Sequence, residues 1–171
     1  AVIRDGRALV ESDFGRIGVK LEGAGVLDDG FAGTLAASAP GIGTAACRAG
    51  TATLYGKLAT DDGTPSFDGP LRLSAVNCGG ARLAQADIGT RASIRPDFTA
   101  ASADFRIEGR EAAFTALTGA GLEGTARFDW SAERIALGHD LALTGIAGPQ
   151  GRIGRLAAEG NWRGTGNFAS G

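Results

Sequence analysis

Methionine is absent from this 171-residue chain, histidine occurs once, cysteine twice, and aromatic residues make up only 6%. Each shortage excludes something. Two cysteines and one histidine cannot furnish the four ligands of a structural zinc site, and no CxxC pair is present. His139 stands beside Asp140, but no G-x-S-x-G nucleophile elbow accompanies it, so it reads as a surface or turn histidine. Basic residues never run three together and the net charge is −2, which leaves no patch for nucleic acid. The longest uncharged stretch, residues 30–47, is broken by Gly, Pro, Ser and Thr and is too small-chained for a membrane-spanning helix. No signal peptide or lipobox is visible, and neither end has the character of a natural terminus. Residues 1–171 are therefore expected to form a single segment of a longer chain.

What the chain has in abundance is small residues: 29 Gly and 32 Ala. Among them, apolar and polar residues alternate at the period of a β-strand. Ile17, Val19 and Leu21 fall on one side of "GRIGVKLEG". Ala52, Leu54, Gly56 and Leu58 oppose Thr53, Tyr55 and Lys57. Leu71, Leu73 and Ala75 oppose Arg72, Ser74 and Val76. Phe105 and Ile107 oppose Asp104, Arg106 and Glu108, and Phe128 and Trp130 oppose Arg127 and Asp129. Between these runs lie turn signals such as "LDDGF", "NCGG", "IRPDF" and "AGPQGR". Asp-Gly at 29–30, 62–63 and 68–69 marks hairpin turns, because these residues tolerate positive φ. Ten to twelve strands result. Only "REAAFTALTG" and "GRIGRLAAEG" could be helical, and both also read as strands.

Several motifs carry less than their letters promise. "GAGLEG" matches a dinucleotide fingerprint, but a strand follows it where a helix is required. The acidic pairs Asp28–Asp29 and Asp61–Asp62 lack calcium-loop spacing and sit in turn sequences. Tyr55, Phe105, Phe128, Trp130 and Trp162 serve equally as sheet core or as a ligand-facing lining. Cys47 and Cys78 are either buried thiols or one disulfide. The disulfide is favoured, since each cysteine ends a strand-like segment among small residues. It would close a loop of about 30 residues and fit an oxidising compartment.

A sheet with one oily face must bury it. A sandwich, a barrel, or a long sheet bent into a trough that receives an apolar ligand would each do so.

The stretches "FGRIGVKLEGAGVLDDGFAGTLAASAPGI", "ATLYGKLATDDGTPSFDGPLRLSAVNC" and "GGARLAQADIGTRASIRPDFTAASADFRIEG" resemble the periplasmic region of YdbH-like proteins, within the AsmA-like group that includes TamB. The resemblance implies an all-β fold: an elongated, strongly curved sheet forming an open apolar groove, a β-taco with little helix. It implies a phospholipid conduit in the periplasm of a Gram-negative bacterium, anchored in the inner membrane through a segment this chain lacks. Its partners would be phospholipid acyl chains and a small outer-membrane lipoprotein, with no catalytic residue, metal or cofactor. Cys47 and Cys78 lie where paired cysteines are expected in such relatives. The residues expected to line the groove are Leu54, Leu58, Leu71, Leu73, Ile94, Phe105, Ile107, Phe128 and Trp130. Unpaired edge strands would permit self-association. The competing expectations are a structural or adhesive β-solenoid with a closed core, and an enzyme on a β-scaffold, for which no carboxylate cluster is evident.

Overall fold

A computed structural model describes residues 1–165. They form ten strands: β1 Val2–Ser12, β2 Gly15–Ala24, β3 Ala32–Gly43, β4 Cys47–Asp61, β5 Thr64–Cys78, β6 Ala81–Ile94, β7 Ala100–Phe114, β8 Leu117–Ser131, β9 Ile135–Gly148 and β10 Gly151–Gly164. The strands follow one another in order through a single antiparallel sheet, and β1 does not meet β10. The described residues include no helix. Strand thus prevails over helix in "REAAFTALTG", which forms the β7–β8 hairpin, and in "GRIGRLAAEG", which forms most of β10. Every pairing between these strands is antiparallel, in one unclosed sheet.

The hairpins obey turn chemistry. Asp62 and Gly63 both adopt positive φ, 47° and 71°, and so do Gly79 and Gly80, 55° and 92°. Such two-residue turns match the right-handed twist of the flanking strands. Asp68–Gly69 departs from expectation, since it lies inside β5 and turns nothing. Gly69 is there for proximity. Its Cα stands 2.7 Å from where a Cβ on Gly56 of β4 would be, so only two glycines let the backbones approach.

Every strand contacts only its sequence neighbours. With no second layer among the described residues, few side chains are buried: Phe31, Ile146 and five alanines make up the buried apolar set. The accessible surface is 11255 Å². A compact protein of 17.2 kDa would expose roughly 7,800 Å².

Candidate functional site

Cross-strand register converts the one-dimensional alternation into rows. One row crosses the whole sheet: Ala8, Val19, Ala37, Leu54, Leu71, Ile88, Ile107, Gly124, Leu141 and Ala158 are successive partners. Two residues further along each strand, a second row joins Ala39, Ala52, Leu73, Ala86, Gly109, Leu122, Leu143 and Leu156. On the other side of the first row, Leu58, Phe67, Ala92, Ala103, Phe128, Leu137 and Trp162 form a third. Side chains two apart on a strand share a face. Leu54, Leu58, Leu71, Leu73, Ile94, Phe105, Ile107, Phe128 and Trp130 therefore all stand on one face, spread over β4 to β8. They share a face and not a single cavity. Ile94 and Trp130 border one depression, of about 270 Å³, with Ala101 and Arg134.

The opposite face carries the charges. Lys57, Asp68, Arg91, Asp104 and Arg127 are successive cross-strand partners of alternating sign. Arg91 pairs with Asp68 at 2.9 Å and Arg127 with Asp104 at 3.7 Å. Arg72 and Asp87 pair at 3.0 Å in a neighbouring row. A depression of about 580 Å³ lies among this face's long side chains, lined by Arg91, Arg106, Arg127, Asp104, Asp140 and Glu159. Tyr55 is on this face as well, 61% exposed, and so is no part of a lining shared with Phe105 and Phe128.

Large side chains on the Leu71 face lie down over glycines. The Phe67 ring covers Gly56 and the Phe31 ring covers Gly23, each reaching diagonally from two residues before a glycine cross-strand partner, Gly69 and Gly33. Covering a strand glycine with an aromatic ring recovers contact that the missing side chain forfeits. His139 behaves alike. It is no turn histidine: it sits within β9 on the Leu71 face, partnered by Ala126 and Gly160, with its ring over Gly160. Its Nδ1 is buried and makes no hydrogen bond.

A line of left-handed residues crosses the sheet and changes which side chains face alike. Gly41, Ala75, Glu111 and Gly145 have φ of 70°, 50°, 55° and 59°. They occupy β3, β5, β7 and β9 at one level of the register, opposite Gly50, Ala84, Ala120 and Gly154. Beyond this line the shared face is reached after three residues instead of two. Leu83 packs against the space above Gly109, and Leu143 against that above Gly119. Val76, the partner of Leu83, therefore joins Leu71 and Leu73, and Ala75 does not. The alternation read from sequence is correct up to Ser74 and inverted after it.

Cys47 and Cys78 are direct cross-strand partners and form a disulfide. The acidic pairs come together at the other end of the sheet: Asp62 donates its N–H to Asp29 Oδ1 at 3.2 Å, and Gly63 donates to the Asp28 carbonyl at 2.6 Å. These bonds tie the β2–β3 loop to the β4–β5 turn. In the β6–β7 loop, the hydroxyl and backbone N–H of Thr99 hold the Asp97 carboxyl below the usual carboxylate range. "GAGLEG" lies entirely within β8. Sequence reading passed over Ile88, Leu122, Leu141 and Leu143, although "LAQADIG" and "LALTG" already showed the alternation.

No family model, no curated protein and no solved structure matches the chain.

Proposed function

We propose that this chain is a segment of a lipid conduit in which the Leu71 face forms an open apolar groove for phospholipid acyl chains. The observation that carries the reading is a single layer of ten strands whose rows of Leu, Ile, Phe and Ala have, among the described residues, no packed layer over them. An uncovered face of this kind marks a surface meant for an apolar partner. Each methylene of an acyl chain costs about 0.8 kcal/mol to expose to water, and a continuous face of small and aliphatic side chains removes that cost along a path. Leucines and phenylalanines lying flat over glycines keep the face low. The contacts are weak and alike from row to row, which suits sliding better than tight capture. The disulfide suits an oxidising compartment such as the periplasm. The resemblance to YdbH-like proteins points the same way, and with it come an inner-membrane anchor and a small outer-membrane lipoprotein as partners. No catalytic group, metal or cofactor enters the proposal.

The test places a photo-crosslinking residue at Leu73 or Phe105 and, separately, at Arg72 or Arg106. Lipid captured in cells from the first pair and not from the second supports the proposal. Equal capture from both faces, or capture only from the arginine positions, refutes it.

A further inference from the structure

We propose that phospholipids lie in the groove with their phosphates at one rim of the sheet, held by Arg48, Arg82 and Arg152. The inference rests on the reading of the Leu71 face as a lipid groove and adds which way the lipid points. The hairpin turns give the sheet two rims. The β3–β4, β5–β6, β7–β8 and β9–β10 turns lie along one, and the β2–β3, β4–β5, β6–β7 and β8–β9 turns along the other. Their charges differ. At the first rim, a row of successive cross-strand partners runs from Arg48 through Asn77 and Arg82 to Arg152 and contains no acid. The three arginines are exposed, and none makes an ion pair among the described residues. Glu111 on the left-handed line and Asp13 in the β1–β2 turn form no ion pair with them. At the second rim stand Asp28, Asp29, Asp61 and Asp62, again without a paired cation among the described residues.

The arginine row stands on the face away from Leu71, next to the outermost residues of the groove. Arginine carries its charge on a long apolar stem, so at a rim the guanidinium can reach round the edge while the stem stays on apolar surface. Arg152 borders a depression of about 570 Å³ together with Leu117 and Ile146 of the Leu71 face. A cation beside an apolar floor suits an anionic amphiphile. The guanidinium fork matches a phosphate bidentately, whereas the carboxylates of the second rim repel one.

Lengths agree with this orientation. Asn77, in the arginine row, and Leu71 are about 20 Å apart along β5. The acyl chains of one leaflet fill about 15 Å, half the hydrocarbon core of a bilayer. Chains anchored at the arginine rim therefore lie over Val76 and Leu73 and end near the row of Leu54, Leu71 and Ile107. Thr64, at the acidic rim, is about another 20 Å away along the same strand. A lipid turned the other way would set its phosphate among Asp28, Asp29, Asp61 and Asp62. Successive lipids thus point alike, and the groove prefers those that carry an anionic phosphate.

The experiment compares binding of phosphatidylglycerol and of diacylglycerol with the same acyl chains to the full chain, by native mass spectrometry. Wild type should prefer phosphatidylglycerol about tenfold or more, the ratio that one hydrogen bond to a charged group supplies. Arg48→Gln/Arg82→Gln/Arg152→Gln should lose that preference and still bind diacylglycerol. Arg106→Gln/Arg134→Gln/Arg163→Gln removes the same charge elsewhere and should keep it. Circular dichroism checks that both triple variants retain the wild-type β spectrum. A phosphatidylglycerol with a photoreactive acyl terminus should label the residues around Leu54 and Leu71. Equal binding of the two lipids by wild type, equal loss in both triple variants, or labelling at Phe114 and Leu117 instead overturns this inference and leaves the groove standing. Binding of inorganic phosphate without preference between the two lipids marks a free-anion site and overturns it likewise. A wild type that binds neither lipid removes the groove itself, and this inference with it.

Discussion

Gly56→Ala measures how closely β4 and β5 approach. A Cβ at residue 56 would overlap the carbonyl oxygen of Asp68 and stand 2.7 Å from both the Gly69 Cα and the Phe67 ring. Two of these three are backbone atoms, so relief requires the strands to separate. Overpacking of this kind costs about 1–3 kcal/mol. Replacing glycine also reduces the freedom of the unfolded chain, which returns about 0.4–1 kcal/mol where no clash arises. The clash wins, and the net loss is about 1–2 kcal/mol. For a chain of this size that lowers Tm by roughly 2–8 °C. Gly154→Ala supplies the contrast. A Cβ there meets nothing within 4 Å, so only the unfolded-state gain remains. Thermal and urea unfolding followed by far-UV circular dichroism compare the two. A Gly56→Ala variant as stable as Gly154→Ala would refute the close approach and, with it, the account of why Asp68–Gly69 lies in a strand.

Further expectations concern the covalent and ionic links. Cys47→Ser/Cys78→Ser should lose about 3–4 kcal/mol, the chain-entropy value for a closed loop whose ends lie 31 residues apart; wild type with and without reductant checks this. Asp104→Asn removes the acid between Arg91 and Arg127, whose partners are about two-thirds exposed, so the cost should be at most about 1 kcal/mol and should fade in high salt. Thr99→Val should return the Asp97 carboxyl toward its ordinary range, read by carboxyl carbon shifts in an NMR titration. Because Asp97 is depressed when folded, whatever stability it adds is present above its unfolded pKa and is lost as pH falls below about 4. Thr99→Val should flatten that acid limb.

The alternation at Leu54, Leu71, Phe105 and Phe128 was legible because a period of two is imposed by backbone geometry and needs no knowledge of partners. The strand-rich character of the described residues followed from the same signal, whereas "REAAFTALTG" and "GRIGRLAAEG" read as helix or strand alike. The reversal after Ser74 was hidden. Left-handed φ is announced by glycine, and Gly41 and Gly145 could have flagged the line, but Ala75 and Glu111 give no such sign. Asp68–Gly69 misled for the opposite reason: a turn-like dipeptide was there to let two backbones touch. His139 beside Asp140 looked like surface, yet its ring fills the space over Gly160, a glycine visible only through the register. Cys47 and Cys78 could be favoured as a pair, but their direct opposition depends on the β4–β5 turn at Asp62–Gly63.

The central claim is that acyl chains occupy the Leu71 face. Native mass spectrometry of the chain purified without detergent tests it most directly. The account predicts phospholipid masses bound to wild type, lost on Ile107→Arg and kept on Glu108→Arg. A wild-type spectrum free of lipid, or equal retention by both variants, would contradict it.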